Sequence, residues 1–134
     1  MKRKRFFFKR REDGQAMVES ALVIPLFILI LCGILDFGWI FSNQLMVNNC
    51  SREGARYAVV RSSESNLASL VTTHVQQVSS LGDPEDISVS VSTTGDGDIN
   101  VTVQKDVTVL TPLAGIFVQG QVIPLNSTTI MSTD

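Results

Sequence analysis

The chain has 134 residues, about the length of one small domain, and a formal net charge of −2. That charge is unevenly divided: residues 1–14 hold seven Lys/Arg against two acidic residues, or +5, and residues 15–134 hold four against eleven, or −7. A basic segment can indicate nucleic-acid binding, but this one precedes a long apolar run, so membrane topology explains it better. Because Lys and Arg stay on the cytoplasmic side of a membrane span, we place the N-terminus inside and the chain beyond about Ser42 outside.

The apolar run predicts one membrane-spanning helix at Ala21–Phe41, in which Asp36 is the one charged residue. At about 1.5 Å per residue its 21 residues span about 31 Å, enough to cross a hydrocarbon core of about 30 Å. A cleavable secretory signal has a shorter apolar core and then a small-x-small cleavage site, and this run lacks both features. We therefore expect the helix to be retained.

The predicted helix extends over residues 15–60, with Pro25 expected to kink it, and Glu53 can meet Arg56 one turn later. Beyond the membrane a stripe of mostly small residues recurs at helical spacing. The stripe has two interpretations, packing on the chain's own domain or helix-on-helix assembly between subunits. Its members are Val47, Ser51, Ala55, Ala58 and Val59.

The two cysteines, Cys32 and Cys50, lie 18 residues apart on this helix, or about 27 Å along its axis. A disulfide requires Cα atoms within about 7 Å, so the two cannot pair within one chain. Cys32 is interpreted as a small apolar residue of the span. Cys50 faces an oxidising compartment, where it is either a thiol that pairs between subunits or a buried free thiol.

Residues 62–66 are rich in Ser and Asn, which end the helix and offer N-cap residues for a second one. Apolar residues from Leu67 to Val78 predict a second, amphipathic helix that ends near Leu81, with Gly82 just after its C-terminus. His74 is the only histidine. Since no Cys or His cluster surrounds it, we expect an exposed helix residue and not a metal ligand.

After Pro84 the apolar period changes to two. Two alternating runs, from Ile87 and from Ile99, flank Thr94-Gly-Asp-Gly-Asp98 and predict a β-hairpin. The Gly/Asp segment is too short to supply the six or more oxygens that calcium prefers, so a turn is favoured over a calcium loop. Residues 112–120 are predicted as a loop or short helix, and residues 122–132 as a last strand whose Pro124 suggests an edge position.

These elements predict an α+β fold with a long N-terminal transmembrane helix, a second short amphipathic helix and a small antiparallel β-sheet. The expected organisation is a basic leader at 1–14, a transmembrane and assembly helix at 15–60, and an extracytoplasmic domain at 61–134. No Ser/His/Asp order, phosphate loop or paired-carboxylate motif is visible, so we expect no enzyme, no cofactor and no metal site. Nucleic acid and small-molecule substrates are not expected as partners.

Three motifs together resemble the TadE-like family of pseudopilins, which belong to the tight-adherence branch of type IV pilus systems. They are Gly14-Gln-Ala-Met-Val-Glu19-Ser-Ala-Leu-Val-Ile-Pro25-Leu, Asp36-Phe-Gly38 and Arg52-Glu-Gly-Ala-Arg56-Tyr-Ala58. The resemblance implies cleavage of residues 1–14 by a prepilin peptidase between Gly14 and Gln15. It also implies the role of a minor pilin, needed for a surface filament used in adherence, with other pilins and the assembly machinery as partners.

Glu19 opens the apolar helix as its fifth residue after the expected cleavage. A lone carboxylate at the head of a span is costly to bury and is a functional hypothesis by default. It is interpreted either as the partner of the new α-amino group on Gln15, on its own chain or the next subunit, or as a boundary residue favoured by the helix dipole. The alternative function is a single-span anchor that displays a β-rich binding module and never enters a filament.

Overall fold

The computed structural model describes residues 10–81, 83–111 and 121–133. Its first element, α1, is a 51-residue α-helix at Arg10–Val60. It begins five residues before the predicted start at residue 15, and Pro25 lies inside it without ending it. Long apolar residues fill both flanks of the proline. Loss of one backbone donor there leaves the other hydrogen bonds of the long helix in place.

The second helix, α2, covers Leu67–Val78 and buries Val71 and Val75. Asn66 stands at its N-cap position, but its side chain makes no capping hydrogen bond, contrary to the capping that the composition suggested. The helix ends at Val78 because Ser79 is extended, three residues before the predicted end at Leu81. The predicted role of Gly82 lies outside the described residues.

Three antiparallel strands follow a short 3-10 helix at Pro84–Asp86. They are β1 at Ile87–Thr93, β2 at Ile99–Thr108 and β3 at Val122–Met131, in the spatial order β1-β2-β3. The predicted hairpin is therefore confirmed. The last strand also lies at an edge of this sheet, where Pro124 does not interrupt a second ladder. The predicted element at 112–120 lies outside the described residues.

Both helices cover one face of the sheet, with α1 against β2 and β3 and α2 against β1. Alternate residues of the central strand β2 point into this interface, whereas the other face is lined by Ser, Thr and Asn, as period-two alternation requires. The apolar core joins residues from every element: Met46, Val47, Cys50, Ala55, Ala58, Val71, Val75, Ile87, Ile99, Val101, Val103, Val107 and Leu125. The α+β fold class is confirmed.

The helix α1 has two different halves. From Gly14 to Leu35 every residue except the half-buried Cys32 is exposed, whereas from Asp36 onward one side of the helix packs on the domain. Asp36, which lies inside the predicted span Ala21–Phe41, is only 5% exposed and packs on the domain, and the bounds of the span stay a prediction. The bare apolar part at 16–35 has 20 residues and a length of about 30 Å, which still matches a bilayer core.

The small-residue stripe packs on the chain's own domain. Val47, Ser51, Ala55 and Ala58 are all 0% exposed, and Val59 is half-buried against the same core. The first of the two interpretations is therefore the one that the structure supports. The opposite side of α1 is not covered by the domain, and there Phe37 and Phe41 stack with ring centroids 6.2 Å apart.

Candidate functional site

The expected processing site lies in the first turns of α1. Gly14 is exposed, and a Cβ added to it would meet no atom within 4 Å. The Gly14–Gln15 bond is helical, because α1 begins at Arg10. A protease that reads an extended backbone must therefore unwind this first turn. Glycine makes such unwinding easier, since it loses more conformational entropy in a helix than any other residue.

Glu19 follows Gln15 by four residues, so both side chains lie on the same face of α1, about one turn apart. The Glu19 side chain is exposed, and neither a hydrogen bond nor an ion pair joins it to another residue in the part of the chain that the structure describes. Glu19 lies near the start of the exposed part of α1, which extends from Gly14 to Leu35. An unpaired carboxylate beside a long apolar surface favours a cationic partner.

Asp36 marks the point where α1 enters the domain. Its Oδ1 accepts hydrogen bonds from the backbone N–H groups of Leu110 and Thr111, each at 3.0 Å, and its Oδ2 accepts one from the Thr111 hydroxyl. The carboxylate thus fixes the chain just after β2 to the helix. These three donors satisfy the buried carboxylate of Asp36, which the sequence analysis had assigned to the membrane span.

Cys50 is a free thiol that is 1% exposed in the centre of the core. Burial raises the pKa of this thiol above its ordinary value of 9.0, and the nearby Lys105 ammonium partly opposes the shift. Lys105 itself occupies an inward position of β2, is 3% exposed and donates a hydrogen bond to the Leu81 carbonyl. A bond between Cys50 thiols of two subunits would first require this core to open.

The second half of α1 contacts α2 closely at Gly54. A Cβ built there would lie 2.9 Å from Val75 Cγ2 and 3.2 Å from Val101 Cγ1, so only glycine fits without displacement of a neighbour. Ser51, one turn earlier, meets Thr129 Oγ1 at 2.5 Å and the Val101 carbonyl at 3.4 Å. The Gly and the small residues of this motif therefore serve the packing of α1 on the domain.

An aromatic stack joins the ends of the two helices. The ring centroids of Tyr57 and His74 lie 4.2 Å apart, and the Arg61 guanidinium lies 4.2 Å from the centroid of the Tyr57 ring. His74 is only 25% exposed and its Nε2 lies 3.7 Å from Glu53 Oε1, so the expectation of an exposed histidine is wrong. Glu53 faces His74 and not Arg56, which also differs from the predicted i, i+3 pair.

Among the described residues no group of three or more His, Cys, Asp or Glu side chains is placed to hold a metal ion. The Asp residues of the turn at 94–98 do not form such a group within that part of the chain. The chemistry that the described side chains offer is therefore that of charge pairing and apolar contact. Its strongest candidates are Glu19 in the bare helix and the arginines at the far end of the domain.

Within the described residues α1 is long and apolar enough to cross a membrane, and its second half packs on a small α+β domain. Residues 14–56 match the family model described as TadE-like protein, which confirms the resemblance read from the sequence motifs. The matched segment lies entirely within α1 and contains Gly14, Glu19, Asp36 and Gly54. No curated protein and no solved structure gives a significant match to the chain.

The processing site at Gly14 and Gln15 stays a prediction, and sequence reasoning missed the contacts of Asp36, Lys105 and His74. Asp36 carried one available signal, since a charge inside an apolar run must find partners. Lys105 carried another, because it falls on the apolar positions of an alternating strand. The stack on Tyr57 had no such signal, as it depends on how α2 folds back onto α1.

Proposed function

We propose that this chain is a minor pilin of a tight-adherence pilus, cut by a prepilin peptidase between Gly14 and Gln15. The observation that carries the proposal is the bare apolar half of α1. About 30 Å of helix at residues 16–35 is uncovered by the chain's own domain, and water is a poor solvent for it. A bilayer covers such a surface before assembly, and neighbouring helices of a filament cover it afterwards.

In this proposal the basic segment 1–14 stays in the cytoplasm, the apolar part of α1 crosses the inner membrane, and the α+β domain lies outside. The domain is built on Asp36–Val60 as well as on residues 61–134, so the helix is part of it and not only its tether. The match to the TadE-like family at residues 14–56 supports the role in pilus assembly and adherence.

Cleavage would create an α-amino group on Gln15, with a reference pKa of about 8 and therefore a positive charge near neutrality. Glu19 lies four residues further on and has no partner among the described residues. Pairing of the Glu19 carboxylate with this amine, on the same chain or on the next subunit, would remove the cost of an unpaired charge in the apolar layer. It would also set the axial register of neighbouring helices.

The test is N-terminal analysis of the mature protein from cells with and without the prepilin peptidase. We expect the wild-type chain to begin at Gln15 only when the peptidase is present, and Gly14→Leu to keep all 134 residues. The same preparation must be examined for a cyclised N-terminal glutamine, because cyclisation removes the positive charge. A leader that is kept in peptidase-positive cells would favour the alternative, a plain membrane anchor that displays its domain.

A further inference from the structure

The exposed positive charge of the extramembrane domain is confined to one place. Four basic residues follow Gly14, namely Arg52, Arg56, Arg61 and Lys105, and Lys105 is buried in the core at 3% exposure. The other three lie within ten residues at the far end of α1, on a chain whose residues 15–134 carry −7. A concentrated basic surface on an acidic domain is suited to bind a local acidic group, whereas a nucleic acid or another long polyanion would be repelled by the rest.

Two of these arginines line an open surface depression of about 240 Å³ between α1 and α2. We call it the arginine cavity; its lining is Glu53, Arg56, Tyr57, Val60, Arg61 and His74. Arg61 is held over the Tyr57 ring, and Arg56 makes no hydrogen bond or ion pair within the described part of the chain. The one carboxylate, on Glu53, lies towards His74 at 3.7 Å. The arginine cavity therefore offers two guanidinium groups to an incoming carboxylate, the anion that they bind best.

The turn between β1 and β2 carries an exposed carboxylate, that of Asp96, on a narrow projection that suits the arginine cavity. Its tip, Gly95-Asp96-Gly97, is held by hydrogen bonds from Thr94 N to the Asp98 carbonyl at 2.8 Å and from Gly97 N to the Thr94 carbonyl at 2.9 Å. The Thr133 hydroxyl fixes the turn further through the Gly97 carbonyl. Asp96 is exposed and has no partner in the part of the chain described. It is thus a single carboxylate on a narrow, rigid projection.

The turn and the arginine cavity lie towards the same end of the domain, the end away from Asp36. The Ser51 hydroxyl meets the Val101 carbonyl, which aligns the two elements, and β2 then runs from this point towards Asp36 and the membrane. Arg56 lies five residues beyond Ser51, about 7.5 Å along the helix. Ile99, the first residue of β2, lies two residues before Val101, about 7 Å along the strand, and Asp96 lies three residues further in the same direction along the chain.

We propose that the Asp96 turn of one copy inserts into the arginine cavity of a second copy of this chain. Copies inserted in one membrane are parallel and equally deep, so the two surfaces meet at one level. This inference rests on the proposed function in one respect only, the parallel arrangement of copies in one membrane. The contact joins two different surfaces, so one copy of a pair keeps its cavity free and the other keeps its turn free, and further copies can add to form a row or a closed ring. Lipid headgroups are excluded as occupants, since Arg56 lies about 30 Å along α1 from Asp36.

The experiment measures energy transfer between purified full-length chains in lipid vesicles, with a donor or acceptor fluorescent protein fused after Asp134. We expect Arg56→Glu or Asp96→Arg alone to weaken association about tenfold or more. A chain that carries both reversals should associate within about threefold of wild type, because the ion pair is restored with its signs exchanged. Arg52→Glu and Glu85→Arg make the same charge changes outside the cavity and the turn, and should leave association unchanged.

All variants change exposed side chains, and each must keep the wild-type thermal unfolding midpoint. Unchanged association in both single variants, or no recovery in the double variant, overturns the proposal. If Arg56→Glu weakens association and Asp96→Arg does not, the proposal is also overturned, because the cavity would then bind another acidic group. The measurement uses the uncleaved purified chain, so its outcome is independent of whether the leader is removed or a pilus forms in cells.

Discussion

At the level of single residues, Gly54 shows most directly how the TadE-like motif builds the domain. An added methyl group would lie 2.9 Å from Val75 Cγ2, and Val75 is 0% exposed with no room to move away. Overpacking of this kind costs about 1–3 kcal/mol, which exceeds the helix-propensity gain of up to about 1 kcal/mol. We therefore expect Gly54→Ala to lower the free energy of unfolding by about 1–2 kcal/mol, measured by urea denaturation in detergent.

Gly38 is the matched control, because a Cβ added there would meet nothing within 4 Å. Gly38→Ala should be neutral or stabilise the helix by up to about 1 kcal/mol. If Gly54→Ala and Gly38→Ala unfold at the same urea concentration, α2 does not pack against α1 as closely at Gly54 as the structure shows.

Cys50 allows a second residue-level prediction, on pH. Burial raises the pKa of its thiol above 9.0 in the folded protein, so the folded state holds the proton more tightly than the unfolded state. This contribution to stability is complete below the unfolded pKa, and it is lost as the pH rises through the unfolded and then the folded value. Stability of the wild-type chain should therefore fall above about pH 9 more steeply than that of Cys50→Ala.

The same burial predicts slow chemistry at Cys50, because only the thiolate reacts and it must reach the reagent. A maleimide should label Cys50 slowly in the native protein and rapidly in urea. On a non-reducing gel the chain should run as a monomer. A dimer band that disappears in Cys50→Ala would show instead that the core opens and the thiols of two subunits pair.

At the level of elements, Asp36 joins the helix to the end of the central strand. Asp36→Ala would leave two backbone N–H groups without an acceptor, at a cost of about 1–3 kcal/mol. Asp36→Asn keeps one carbonyl oxygen in place and should cost less. Protease cleavage of the chain after Thr108 should become faster in the alanine variant, because Leu110 and Thr111 are no longer held to α1.

Asp106 on the outer face of β2 is the control for this experiment, since it is exposed on the same strand. Asp106→Ala should change stability by less than about 0.5 kcal/mol. Equal effects of the two alanine variants would mean that the Asp36 carboxylate contributes nothing specific.

The elements themselves were largely predictable from the sequence. The hairpin, for example, follows from period-two alternation around Gly95 and Gly97. What could not be predicted depends on distant parts of the chain. The partners of Asp36 lie 74 and 75 residues later, and the ring under His74 lies 17 residues earlier on another helix. Local periodicity carries no information about such contacts, so the partners of Asp36 were missed and His74 was expected to be more exposed than it is.

At the level of the whole molecule, Glu19 provides the prediction that separates assembly from membrane anchoring. If the carboxylate pairs with the Gln15 amine in a filament, Glu19→Gln should still be cut after Gly14, yet it should fail to restore pili to a strain that lacks this protein. Electron microscopy and sheared-pilus yield measure the outcome. Wild-type piliation by Glu19→Gln would make Glu19 a boundary residue of the apolar helix.

Because α1 is one continuous helix, a tilt of its first half also moves its far end sideways. In the proposed arrangement the first half of α1 crosses the bilayer, and about 37 Å of the same helix continues from Asp36 through the domain to Val60, with the sheet fixed to it. A tilt of about 20°, common for membrane helices, would carry that far end about 13 Å sideways. A change of bilayer thickness, or a bend at Pro25, therefore alters the spacing between the outermost parts of adjacent copies far more than it alters the spacing at the membrane surface.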